Sequence, residues 1–155
     1  MLGVTLPEDG FEGTENPGAS SAVQATVGMY GVYELSGYRD PQGFFALRGI
    51  TKCFVKQFVG TETPERDTYK LGSPMNYAHA GMGPVFLVHG THDHIVRYEQ
   101  STAFRDQLSR LGVPVHMSTV PYGHVFDFLH APARQKVFDE ILAFLKEHGM
   151  QAPEN

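Results

Sequence analysis

Four side chains that could bind a metal ion or transfer protons lie close together in the stretch PVFLVHGTHDHIV, residues 84–96. They stand at the end of an apolar run or directly after it: His89, His92, Asp93 and His94. Imidazole and carboxylate groups are common zinc ligands, and they are also usual partners in general acid–base catalysis. The stretch therefore supports two hypotheses, a metal site and an acid–base site.

A metal site in this stretch would match a known pattern only in part. The H-x-H-x-D-H pattern of dinuclear zinc hydrolases such as the metallo-β-lactamases is in register with His89, Asp93 and His94. Thr91, however, occupies the second histidine position, and His92 lies one place away. A metal site also needs further ligands and partners that orient them. We therefore expect His89 and His94 to be packed or hydrogen-bonded loop residues, and we expect no metal and no other cofactor.

The acid–base hypothesis involves a second loop, which contains His124. Asp93 lies just beyond the apolar run, and His124 follows Gly123 just beyond a second run of strand-like sequence. Adjacent parallel strands lie about 4.8 Å apart, so the loops at their carboxyl ends can bring two side chains into contact. A carboxylate in that position holds one imidazole tautomer and stabilises the imidazolium ion. We therefore predict that Asp93 and His124 form a catalytic pair.

The hydrophobic pattern predicts the strands and helices that must position this pair. Apolar and β-branched runs predict strands over residues 22–33, 84–90 and 113–123. Helical spacing of apolar residues predicts helices over residues 44–60, 97–112 and 133–149. This alternation predicts an α/β fold with about three parallel strands and covering helices.

Length and composition fit one domain. Residues 1–21 are predicted to be irregular and 22–150 to form the domain, with 34–83 as a helical, cap-like insertion. The net charge of −5 and the absence of a Lys/Arg cluster argue against binding to nucleic acid. The single cysteine excludes an internal disulfide, and no apolar run approaches the roughly 18 residues of a membrane span. We expect a cytoplasmic protein, unless an N-terminal signal has been removed.

The two loop motifs resemble those of a known family. The segment GPVFLVHGTHDHIVRYEQSTAFRDQLSRLGVPVHMSTVPYGHVFDF resembles the C-terminal portion of an α/β-hydrolase of the esterase/lipase group, near the acetyl-hydrolase and hormone-sensitive-lipase-like branch. In that family an H-G-x-x-D-x-x-V segment carries the triad acid and a later G-H-x-F segment carries the triad histidine. The resemblance covers roughly residues 20–147. It places the acid at Asp93 and the base at His124.

The resemblance does not extend to the nucleophile. The family carries a serine on a G-x-S-x-G elbow between a strand and a helix, and this sequence contains no such motif. Gly18, Ser20 and Ala22 give G-x-S-x-A, but a predicted loop precedes them and a predicted strand follows. We therefore expect Ser20 to be a loop serine. Ser73 and Ser101 are predicted to be turn or capping residues.

The resemblance implies the C-terminal part of a serine carboxylesterase or lipase, acting on a small-molecule ester. Because the sequence has neither the elbow nor an H-G-G oxyanion segment, we expect inactivity alone and association with the N-terminal half of the hydrolase or with itself. The alternatives are a non-catalytic binding module and a metal-dependent hydrolase that uses the histidine cluster. Four phenylalanines could line an acyl pocket or, more simply, belong to the core: Phe44, Phe45, Phe54 and Phe58.

Overall fold

The computed structural model describes residues 3–15, 18–35, 57–58 and 66–150. In chain order its elements are β1 (Thr26–Met29), α1 (Arg66–Gly72), β2 (Val85–Gly90), α2 (Glu99–Arg110), β3 (Val115–Val120), α3 (Phe126–Leu129) and α4 (Ala131–Glu147). Short 3-10 helices span Pro7–Asp9 and Pro74–Tyr77.

In the described part of the chain the strands form a parallel sheet with the order β1–β2–β3. Val85 of β2 pairs with Thr26 on one side and with Val115 on the other. Every residue of β2 is buried, which explains why its sequence is a continuous apolar run rather than an alternating pattern. The predicted α/β fold with parallel strands and covering helices is confirmed.

Side chains of β2 alternate between the two faces of the sheet and enter two separate hydrophobic clusters. One cluster joins β2 to α2 through Val85, Leu87, Phe104 and Leu108. The other joins β2 to α4 through Phe86, Val88, Val137, Ile141 and Phe144. Helices therefore cover both faces of the sheet, and the carboxyl end of β2 is held between them.

The predicted elements occur in the expected order, with different lengths. The helices predicted over residues 97–112 and 133–149 correspond to α2 and α4. The first strand is shorter than residues 22–33, because its partner β2 begins at Val85, opposite Thr26. Sequence analysis missed α3, a single turn whose position depends on contacts with distant residues.

The helix predicted over residues 44–60 lies almost entirely outside the described residues, as do Phe44, Phe45 and Phe54. Phe58 is described, and its side chain is 71% exposed, so the expectation of a core position is wrong for that residue.

The two ends of the proposed insertion are fastened next to the sheet by buried polar side chains. Ser73 Oγ accepts a hydrogen bond from the backbone N–H of Leu35 at 2.8 Å. Gln100, on α2, accepts one from the backbone N–H of Tyr33 at 2.9 Å. Both side chains are fully buried. Ser73 does precede a 3-10 helix, as a turn residue would, but its hydroxyl ties two distant segments together rather than capping that helix.

Candidate active site

The loops that follow β2 and β3 lie against each other. The backbone N–H of Thr91 donates to the carbonyl of Val120 at 2.8 Å, and that of His92 donates to the carbonyl of Tyr122 at 3.1 Å. At Gly90, the last residue of β2, a Cβ atom would overlap the carbonyl oxygen of Tyr122. A glycine at this position therefore allows the close approach that brings the two loops together.

Asp93 is buried in the first of these loops, and donors surround its carboxylate. Oδ1 accepts hydrogen bonds from the backbone N–H groups of Ile95 and Val96 at 2.9 and 2.8 Å. Oδ2 lies 2.7 Å from Nδ1 of His124. These bonds fix the carboxylate on the turn and aim one oxygen at the second loop.

The same contacts determine the ionisation of Asp93. Burial alone would raise its pKa, because it disfavours the charged form. The interactions with His89, His124 and two backbone amides outweigh burial and lower the pKa to about 2. Asp93 is therefore a carboxylate at neutral pH, although its side chain is inaccessible to solvent.

His124 uses one ring nitrogen for this contact and leaves the other for chemistry. Because the carboxylate is an acceptor, Nδ1 carries the proton that it donates to Asp93. The neutral imidazole then has its lone pair on Nε2, the atom from which a general base acts. The side chain of His124 is 19% exposed, so the ring is accessible from outside the sheet.

Two residues with left-handed backbone conformations lie next to His124. Tyr30, directly after β1, has φ 39°, and Val125 has φ 51°. The Tyr30 ring meets the His124 imidazole edge-on with 4.6 Å between centroids, and its hydroxyl donates to Asp127 on α3 at 2.9 Å. Burial, together with Asp127, raises the pKa of Tyr30 to about 12, so the phenol remains a donor. Non-glycine residues in this conformation are strained, and such strain is common at functional sites.

His89 lies deeper, and the prediction that it is packed and hydrogen-bonded agrees with the structure. It is fully buried near the end of β2, with Nδ1 2.6 Å from Oγ of Ser101. The expectation that Ser101 caps a helix is wrong. Ser101 lies inside α2 and is fully buried. Its hydroxyl faces His89 instead of the end of the helix.

The histidine cluster does not converge on one point. His92 and His94 are exposed, and His92 Nδ1 donates to the carbonyl of Pro121 at 3.2 Å. Within residues 3–15, 18–35, 57–58 and 66–150, no group of three or more His, Cys, Asp or Glu side chains has the geometry to hold a metal ion. The geometry therefore favours the acid–base hypothesis over the metal hypothesis.

A cleft of about 430 Å³ opens beside the acid loop. Its lining includes His94, Ile95, Arg97 and Tyr98, so it offers both charged and apolar surface. Sequence analysis did not predict it, because it forms where the loop after β2 turns back against the start of α2. Ser20 belongs to a local turn, in which its Oγ accepts the backbone N–H of Ala22 at 3.1 Å, as expected for a loop serine.

The parallel sheet with helices on both faces defines the chain as an α/β protein. The chain belongs to the BD-FAE family, whose model matches residues 1–108. That match includes Asp93 and ends before His124.

Curated relatives and solved structures agree with this class. The chain is 30% identical over 131 residues to the probable carboxylic ester hydrolase LipM of Mycobacterium tuberculosis, which covers 83% of this chain and 30% of that protein. It is 29% identical over 146 residues to the esterase LipQ of the same organism, covering 89% of this chain and 31% of the relative. The esterase Est2 of Thermogutta terrifontis, solved with propionate bound, superposes with a TM-score of 0.71. Its sequence identity is 26%, over 99% of this chain and 53% of that one.

These comparisons confirm the resemblance to the C-terminal portion of an α/β-hydrolase esterase. The chain spans about a third of the length of the curated relatives and about half of Est2. Because the relatives are esterases, esterase activity is a property of the family and not yet of this chain. None of the described helices is long and apolar enough to cross a membrane.

Proposed function

We propose that this chain supplies the acid and the general base of a serine carboxylic ester hydrolase, with Asp93 as the acid and His124 as the base. The observation that carries the proposal is the 2.7 Å contact between Asp93 Oδ2 and His124 Nδ1, on loops that follow neighbouring parallel strands. The esterases among the relatives support the reaction type.

The chemistry follows from this geometry. His124 Nε2 takes the proton of a serine hydroxyl as its oxygen attacks the ester carbonyl carbon. The buried carboxylate of Asp93 stabilises the imidazolium ion that results. When the tetrahedral intermediate collapses, Nε2–H donates its proton to the departing alcohol oxygen. In the second half-reaction, Nε2 takes a proton from water, which attacks the acyl-enzyme, and returns it to the serine.

The nucleophile, in this proposal, is a serine supplied by the N-terminal half of the hydrolase. The sequence contains no G-x-S-x-G motif, and Ser20 and Ser73 are engaged in structural hydrogen bonds. The chain associates with the N-terminal half of the hydrolase or, when isolated, with a second copy of itself. In the described part of the chain β1 pairs only with β2, which leaves its outer edge as the surface for a further strand.

The substrate class is a carboxylic ester with a short acyl group. Est2 is known with propionate and with butyrate bound, and it is the structural relative with which this chain shares 26% identity.

Hydrolysis of p-nitrophenyl acetate tests the proposal in two settings. The chain alone is expected to show no activity above background, because loss of the nucleophile removes most of a triad's rate enhancement. In the complete enzyme that contains these residues, Asp93→Asn and His124→Gln are each expected to lower kcat by about a thousandfold or more. Activity of the chain alone that Ser20→Ala abolishes would contradict the proposal. Full activity of either substituted enzyme would favour a non-catalytic binding module.

A further inference from the structure

The carboxylate of Asp93 has a neighbour that takes no part in the proton transfers described above. His89 is fully buried, and its Nε2 lies 3.3 Å from Oδ2 of Asp93. The same nitrogen lies 3.0 Å from the carbonyl oxygen of Val96. On the other side of the ring, Nδ1 lies 2.6 Å from Ser101 Oγ. The imidazole is therefore held from both sides between β2 and α2.

These neighbours determine which nitrogen of His89 carries a proton. The carbonyl oxygen of Val96 and the carboxylate of Asp93 are both acceptors, so Nε2 must be the donor. One N–H then lies between two oxygens, with the shorter contact to the carbonyl. In the neutral ring Nδ1 is an acceptor, and it receives the hydroxyl proton of Ser101. A serine hydroxyl can donate or accept, so Ser101 satisfies Nδ1 in the tautomer that the two oxygens at Nε2 select.

The two oxygens of Asp93 are held in different ways. Oδ1 is fixed by two backbone amides of its own turn. Oδ2 lies between two imidazoles, that of His89 from β2 and that of His124 from the loop after β3. Without His89, His124 is the donor that remains on Oδ2. His124 is also the group that the carboxylate has to position.

We propose that His89 is a positioning residue, which holds the carboxylate of Asp93 in the orientation that His124 needs, and that the hydrogen bond from Ser101 anchors the far side of the His89 ring. This inference rests on the proposed function, because it assigns His89 a role in the same site. It adds a buried Ser101–His89–Asp93 chain behind the proposed catalytic pair.

Other polar groups near this chain must stay unchanged in a test. The ring of Tyr98 packs edge-on against His89 with 5.8 Å between centroids, and Glu99 follows it at the start of α2. Tyr30 and Asp127 lie on the side of His124. None of these side chains is altered in the variants below.

The test is NMR of the chain itself, with His89→Leu, His89→Gln and Ser101→Ala. The readouts are the pKa of Asp93 from its carboxyl carbon, and the solvent exchange of the Nδ1 proton of His124. Loss of a donor destabilises the carboxylate, so His89→Leu is expected to raise the pKa of Asp93 by about one unit and to speed that exchange. Ser101→Ala is expected to act in the same direction, more weakly.

His89→Gln serves as the conservative rescue. Its amide nitrogen can occupy the position of Nε2, so it is expected to restore the pKa of Asp93 most of the way to that of the unsubstituted chain. The 15N shifts of His89 in the unsubstituted chain should show the Nε2–H tautomer. A neutral Nδ1–H tautomer would overturn the inference.

Two controls separate positioning from packing. His94→Gln changes an exposed histidine of the same turn, and Phe104→Leu weakens the buried core of α2 without touching Asp93. If Phe104→Leu raises the pKa of Asp93 as much as His89→Leu does, His89 is a packing residue and the inference fails. If His89→Leu does not fold, Ser101→Ala and His89→Gln decide: an Asp93 pKa unchanged by Ser101→Ala overturns the inference.

These measurements do not depend on ester hydrolysis. If the complete enzyme hydrolyses no ester while His89→Leu still shifts the pKa of Asp93, the proposed function fails and the positioning contact remains. If the enzyme is active and Asp93 does not respond to His89, the positioning role alone is wrong.

Discussion

At the scale of single residues, the best-defined feature of the protein is the ionised carboxylate of Asp93. It is inaccessible to solvent, yet its surroundings consist of donors: two backbone amides and two imidazoles. An isolated buried charge would be costly, whereas a carboxylate with this many donors is stabilised in its charged form. The turn therefore keeps the acid of the proposed pair ionised and in position without a bound substrate.

This ionisation predicts a dependence of stability on pH. The pKa of Asp93 is about 2 in the folded chain and 3.8 for the unperturbed group, so the folded state favours the charged form. The resulting stabilisation, about 2 kcal/mol, is present above pH 3.8 and disappears as pH falls towards 2. In urea unfolding between pH 6 and pH 2, Asp93→Asn should lose this part of the pH dependence. Asp106→Asn, at an exposed position, is the control and should keep it.

A second prediction at this scale concerns the close approach of the two loops. A Cβ at Gly90 would overlap the carbonyl oxygen of Tyr122, so Gly90→Ala should lower the free energy of unfolding by about 1–3 kcal/mol. Gly123→Ala is a matched control, because its Cβ would lie 3.5 Å from the nearest atom, the carbonyl oxygen of His92, in ordinary contact. Equal losses in the two variants, measured by chemical unfolding, would contradict the importance of Gly90.

At the scale of elements, the site is assembled from the carboxyl ends of three parallel strands. The end of β1 provides Tyr30, the loop after β2 provides Asp93, and the loop after β3 provides His124. The helix α3 follows His124 directly, and the Tyr30–Asp127 hydrogen bond joins it to β1. That bond spans 97 positions of the sequence and joins the residue after β1 to the helix that follows β3.

A double-mutant cycle measures this connection. Tyr30→Phe and Asp127→Ala should each destabilise the chain by about 1 kcal/mol, because each removes one partner of the same part-buried bond. The double variant should lose little more than one of them, which gives a coupling energy of about 1 kcal/mol in urea unfolding. Tyr122→Phe is the control: Tyr122 stacks on His130 through its ring, and additive effects are expected when it is combined with Asp127→Ala. Additivity in the Tyr30 cycle would show that the bond is not formed.

At the scale of the whole molecule, the sheet in the described part of the chain ends at β1, whose outer edge can pair with a partner. Thr26 and Tyr30 donate their backbone N–H groups to Pro84 and Val88 on the β2 side. Because donors alternate along a parallel strand, the N–H of Val27 faces the opposite edge. A row of such groups on an outer strand is a template for pairing with another chain.

This edge predicts the behaviour of the chain in solution. Sedimentation velocity of the chain alone should show concentration-dependent self-association, and Val27→Pro should shift it to monomer. Proline removes a donor only from the outer edge at that position, so the pairing with β2 is kept. Thr26→Pro removes the 3.0 Å bond to Pro84 instead and should reduce stability, measured by thermal unfolding. A chain that stays monomeric at high concentration would contradict self-association through β1.

Much of the fold could be predicted from local sequence. The continuous apolar run of β2 indicates a strand buried on both faces, and the spacing of apolar residues predicts α2 and α4 to within a few residues. The two loop motifs were enough to choose Asp93 from a crowded stretch and to pair it with His124, and the structure brings these side chains together. Their catalytic role stays a prediction until activity is measured.

What only the tertiary structure decided is which distant groups meet. Ser101 looks like a helix cap in the sequence and lies instead against His89, and Ser73 and Gln100 bind backbone groups of a segment far along the chain. Periodicity reports which face of an element is buried, because burial repeats with the geometry of that element. It carries no information on which polar atoms face each other across a packed interface, since that depends on how the elements are assembled.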